Sequence, residues 1–168
     1  MALRPTNHVA GTIDSIGARL RSPWTFFPAV FALAFVPAML LLSLALAAHL
    51  DTTGAQRIAA EVATGNGVIL VFMLLIMPLL ETLVLWVISG LVRLWTRSTD
   101  LGILAAVLVL AVLHYSHGIG KEPAVVWTFA IQGGLLWSSW FRTRARAFWA
   151  VCALHASENS IAVIALNL

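Results

Sequence analysis

Residues 68–94 read VILVFMLLIMPLLETLVLWVISGLVRL. A helix that crosses a bilayer needs roughly 20 mainly apolar residues. This run exceeds that length, so it predicts a span that tilts or projects beyond the hydrocarbon. Arg93 lies near one end, where a long side chain reaches water. Glu81 lies near the middle, where a charge costs about 2.5–3.5 kcal/mol even on the lenient insertion scale. Pro78 lacks an N–H, so it leaves the Leu74 carbonyl without its helical partner and bends the helix. One stretch therefore predicts both a membrane helix and a functional irregularity inside it.

Four more apolar runs lie outward from it, at about 24–48, 101–117, 124–141 and 147–168. The first is too long to be the apolar core of a secretory signal, which is about 7–15 residues. The expected fold class is all-α: a polytopic membrane helical bundle of about five transmembrane helices. Residues 1–23 form a separate cytoplasmic segment before the bundle of 24–168. Within that segment Val9, Ile13, Ile16 and Leu20 recur at helical spacing, which predicts a short amphipathic helix on the membrane surface. Residues 49–66 read as a loop, and Gly118, Gly120, Lys121, Glu122 and Pro123 as a tight turn. Ala130, Gly134 and Ser138 repeat every four residues, a small-residue stripe on which another helix can pack closely.

Composition agrees with the runs. The chain is 61% hydrophobic and 10% charged, against roughly 25% charged residues in a soluble domain. Its pI near 10 does not imply nucleic acid, because the arginines sit at helix ends and form no basic face. Arg4, Arg19, Arg21, Arg93, Arg97, Arg142, Arg144 and Arg146 fall on one side of a five-span arrangement; Arg57 and Lys121 fall on the other. That bias places the N-terminus in the cytoplasm and the C-terminus outside. The expected location is the cell membrane, with the lipid bilayer as surroundings. Cys152 is the single cysteine, so there is no disulfide framework.

Few ionisable residues lie in the runs. Glu81 and Glu158 are the acidic ones; His114, His117 and His155 lie in spans or at a span end. Such residues normally face the bundle interior and mark function. His155 and Asn159 share a helix face at i, i+4, from which Glu158 points partly away, and His114 and His117 are spaced i, i+3. The plain alternative is that each hydrogen-bonds a neighbouring helix.

Three segments resemble the motifs of the CPBP family (CAAX protease and bacteriocin-processing), glutamate-dependent intramembrane proteases. Pro78-Leu79-Leu80-Glu81-Thr82 with Trp86 fits the frame of the first motif, two glutamates and then an arginine. Thr82 stands where the second glutamate is expected and Trp86 where the arginine is expected. Leu113-His114-Tyr115-Ser116-His117 fits the second, with leucine for phenylalanine, and His155-Ala156-Ser157-Glu158-Asn159 matches the third. The likeness covers roughly residues 75 to 165, within a core of about 68–168. It implies that Glu81 is the general base with His117, and that His155 and Asn159 stabilise the oxyanion. It implies an intramembrane endopeptidase acting on a membrane-associated protein or peptide, with no cofactor and no metal.

The chemistry is coherent with those residue types. A carboxylate can take a proton from water only when its pKa is close to the working pH, and an apolar surround raises it. Neither a rhomboid-type Gly-x-Ser-Gly nor a His-Glu-x-x-His segment occurs. Two rivals remain. Glu81, His114 or His117, and His155 could form a zinc site. Alternatively, the chain is a non-catalytic relative, an immunity or complex-assembly subunit, as the changes at Thr82 and Trp86 would suit.

Overall fold

The computed structural model describes residues 8–20, 22–48, 67–115 and 122–166. The loop expected over 49–66, His117 and the turn residues 118–121 lie outside them. Among the described residues there are no strands. Six helices follow in order: α1 (His8–Leu20), α2 (Pro23–Ala47), α3 (Gly67–Thr96), α4 (Thr99–Tyr115), α5 (Glu122–Trp137) and α6 (Arg144–Leu166). The all-helical class expected from the sequence is met. Two helices are long and apolar enough to cross a membrane, Pro23–Ala45 and Gly67–Thr96, whereas Thr99–Tyr115 and Pro123–Trp137 are apolar but shorter.

Apolar side chains cover much of the outside as well as filling the core. On α4, Ile103, Ala106, Val107 and Leu110 face inward, while Leu104, Leu108 and Val112 are exposed. On α2, Phe26, Val30 and Ala34 are wholly buried at four-residue spacing, and Leu40 and Leu44 are exposed. Glu81, Gln132, His155 and Glu158 are all buried. The outside is aliphatic and the centre holds the acids and the amide.

Prolines shape both long helices. In α3 a turn of π-helix, Phe72–Ile76, precedes Pro78, and the Met77 N–H donates to the Phe72 carbonyl five residues back. The next bond in that register would run from residue 78 to Met73, and a proline has no N–H to give. The sequence places the open carbonyl at Leu74; the wider turn opens Met73 as well. In α2, Pro37 withdraws the partner of the Leu33 carbonyl, which accepts instead from the indole Nε1 of Trp127 on α5, at 2.8 Å.

The first helix forms as expected, but its apolar face packs onto protein. Ile13 is completely buried, and Val9 and Ile13 lie over Gly134, where a methyl group would come 2.7 Å from Val9 Cγ1. The small-residue stripe of α5 thus receives α1 at Gly134. A helix lying in a membrane surface would also remove Ile13 from water, so apolar burial alone does not decide between the two positions. Hydrogen bonds do. Asp14 accepts from the Ser138 hydroxyl at 2.6 Å and the Ser139 N–H at 2.7 Å. Asp100 accepts from the N–H groups of His8 and Val9 at 2.6 and 3.3 Å, donors that a helix N-terminus cannot satisfy internally.

Helices α3 and α4 approach most closely at Gly102, where an added methyl would lie 2.5 Å from the Ser89 carbonyl oxygen. The obstacle is backbone and cannot rotate away. Gly102→Ala is expected to force the two helices apart and destabilise the protein by about 1–3 kcal/mol. Thermal unfolding in detergent measures this; an unchanged midpoint would show that the crossing is looser than described.

Candidate functional site

Glu81 comes from the middle of α3, three residues after Pro78. Its Oε1 lies 3.1 Å from His114 Nε2 on α4, and its Oε2 lies 3.2 Å from His155 Nε2 on α6. The carboxylate is 7% exposed and is bridged by two imidazoles from two other helices.

The hydrogen-bond partners restrict the protons. His114 Nδ1 faces the Leu110 carbonyl at 2.8 Å. A carbonyl only accepts, so Nδ1 carries a hydrogen. One further proton must then lie between His114 Nε2 and Glu81, on whichever atom holds it. His155 donates Nε2–H to the other carboxylate oxygen. Its Nδ1 is buried and has no hydrogen-bond partner. The Phe129 ring packs edge-on against His155, with centroids 5.4 Å apart, and lies 5.7 Å from His114.

A cavity of about 210 Å³ opens beside this cluster, with Met39, His114, Phe129, His155, Glu158 and Asn159 on its wall. Glu81 lies behind the two histidines. Asn159 donates one amide N–H to the Met73 carbonyl at 2.9 Å, the acceptor opened by the π turn and Pro78, and an amide keeps a second N–H. Glu158 also lines this cavity, a residue three positions from His155 being as much its neighbour as one four away, and it sits at a polar contact. Gln132 Nε2 donates to Glu158 Oε2 at 2.8 Å, while Glu158 Oε1 and Gln132 Oε1 have no partner.

Of the four expected site residues, Glu81 and His155 are in direct contact and Asn159 shares their cavity. His117 lies outside the described residues, and the second histidine at Glu81 is His114. Leu110 and His114 meet the same spacing of apolar residue, three residues and histidine, so a second frame of that motif was legible. Gln132, which belongs to none of the quoted motifs, is the lone amide in the run 124–141 and is fully buried. Thr82 is fully buried facing Cys152, and Trp86 packs on Phe148 with centroids 5.6 Å apart. Both positions serve the packing of α3 on α6. Among the described residues no group of three His, Cys, Asp or Glu side chains is arranged to hold a metal ion.

No protein-family model, curated protein or solved structure matches this chain.

The Asn159 contact predicts a stability effect that a purely chemical role would not produce. Asn159→Leu leaves the Met73 carbonyl without a donor in an apolar surround, at a cost of about 1–3 kcal/mol. The thermal midpoint in detergent should fall accordingly. If it is unchanged, the amide does not hold the π turn.

Proposed function

We propose that this chain is a multi-pass membrane protein in which Glu81, with its two histidines, activates water to hydrolyse a peptide bond. The observation that carries this reading is the carboxylate bridged between His114 and His155 beside a cavity. Buried ionisable clusters of this kind mark function in membrane bundles. The likeness to CPBP proteases rests on short motifs, and the activity it implies is part of the same proposal.

Five spans, α2 to α6, suit the geometry. Arg93 from the end of α3 and Arg144 from the start of α6 both lie over the Trp137 ring at the end of α5. Asp14 of α1 meets Ser138 beside them. These termini gather at one end of the bundle, as an up-and-down order requires. By arginine bias that end is cytoplasmic and the C-terminus is outside. Glu81 is twelve residues before Arg93, hence about 18 Å along the helix, which is mid-depth in a hydrocarbon core roughly 30 Å thick.

The chemistry runs through the free nitrogen. The side chains that bury His155 Nδ1 must first move enough to admit a cavity water, which then gives its proton to that nitrogen. Glu81 holds the ring through Nε2–H and stabilises the imidazolium that forms, as a buried carboxylate does behind a catalytic histidine. The oxygen attacks the peptide carbonyl, and the second N–H of Asn159 is available to the oxyanion. The C–N bond then breaks and the amine leaves with the proton from Nδ1. In this scheme His155 works on the base side, and Glu81 acts through it. The substrate is a membrane-associated protein or peptide whose scissile bond reaches the cavity.

A non-catalytic relative, an immunity or assembly subunit, is the second reading. It is favoured by Thr82 and Trp86, which occupy packing positions where the family motif has a carboxylate and a guanidinium.

Glu81→Gln separates the two. Glutamine keeps an oxygen to accept from His155 and an N–H to offer His114 Nε2, so the fold should persist. It cannot stabilise the imidazolium, and peptide cleavage by detergent-purified protein should fall by about 10²–10⁴. Full cleavage by the variant would end the glutamate reading. A well-folded wild type that cleaves no membrane peptide in a broad panel would favour the second reading.

A further inference from the structure

A cavity of about 710 Å³ lies away from the histidine cluster, on the outer face of α3. Its apolar wall is formed by Trp86, Val87, Gly90, Leu91 and Leu94, and its end by Arg93, Arg97 and Trp137. Leu91 and Leu94 are 53% and 78% exposed, so the groove opens outward.

The basic end is built. Trp137 is fixed by its indole N–H, which donates to Ser89 Oγ at 2.8 Å. Arg93 stands over that ring at 4.6 Å from its centroid, and Arg144 at 5.2 Å. Arg144 is aimed by its own N–H groups, which donate to the Leu136 and Ser138 carbonyls at 2.9 and 3.2 Å. Arg97 ends α3 in the left-handed conformation, φ 57°. Glycine usually holds that place because a side chain there is strained. Here the strained position carries a cation instead. Among the described residues no carboxylate lies within ion-pair distance of Arg93, Arg97 or Arg144.

Two cations over one tryptophan and a third, Arg97, at the end of the same groove, with no carboxylate among the described residues at ion-pair distance, call for an anion. The groove beside them calls for an apolar tail. From Arg93 back to Trp86 the helix rises about 10 Å, the depth of the first part of an acyl chain. We propose that this groove binds an anionic phospholipid, its phosphate on Arg93 and Arg97 and an acyl chain along Val87, Gly90 and Leu91. Basic pockets between membrane helices take phospholipid headgroups in this way. The site stands apart from the proposed hydrolytic cluster and does not depend on it.

The test is lipid retention by the detergent-purified full chain, read by native mass spectrometry. The probes are phosphatidylglycerol and phosphatidylcholine with identical acyl chains, and inorganic phosphate alone. Wild type should retain phosphatidylglycerol in preference to phosphatidylcholine and should not retain phosphate. Arg93→Gln with Arg97→Gln should weaken phosphatidylglycerol binding by about thirtyfold, from roughly 1 kcal/mol for each arginine. Gly90→Leu leaves the charge unchanged and fills the groove, where even a methyl group reaches ordinary contact with Trp137 at 3.8 Å; it should also reduce binding. Arg19→Gln with Arg146→Gln removes two cations outside the groove and should leave binding intact. Equal retention of both lipids, no effect of the groove variants, or an equal loss in the Arg19 and Arg146 control would overturn the proposal. Tight binding of phosphate alone would identify a soluble anion as the ligand and overturn the lipid.

Discussion

A polar group buried among apolar side chains costs free energy unless it is paired, and that constraint organises this structure. An open carbonyl or a lone charge in such surroundings costs several kcal/mol. Two prolines and a π turn open carbonyls in the long helices. The Leu33 carbonyl is met by Trp127 and the Met73 carbonyl by Asn159. Each of these bonds crosses from one helix to another. Backbone irregularity in one helix therefore becomes a specific address for another.

The same rule explains the centre. A glutamate in the middle of α3 needs donors, and no basic residue lies within a turn of it. Histidines on α4 and α6 provide two, so three helices are held at one carboxylate. The arrangement leaves His155 Nδ1, Glu158 Oε1 and Gln132 Oε1 without partners. Unmet polar atoms beside a cavity are what a structural network would avoid and what a reactive site needs. The proposed chemistry takes its reactive nitrogen from that surplus.

Solvent-facing charges follow a different logic at the end of the bundle. Asp14 and Asp100 fasten α1 by taking backbone and hydroxyl donors that would otherwise be open. Arg93 and Arg144 stack on Trp137, and among the described residues no carboxylate is at ion-pair distance from them. Both patterns arise where helix termini converge and the aliphatic shell ends.

Much of this was legible in residues 68–94 and the runs around them. Apolar length predicts helices and an aliphatic exterior, because a bilayer or a buried core demands both. Glu81, His155 and Asn159 stand out because polarity inside an apolar run needs a reason, and four-residue spacing puts the last two on one face. Spacing along one helix cannot choose between His114 and His117, since both stay within reach of the same neighbours until the helix is packed. The π turn before Pro78 opens the Met73 carbonyl as well, which a regular helical count cannot foresee. Only the packing of α3, α4 and α6 put His114 on Glu81, turned Glu158 into the shared cavity and laid α1 on Gly134. Those outcomes depend on which faces meet across helices distant in sequence, and periodicity within each helix carries no information about that.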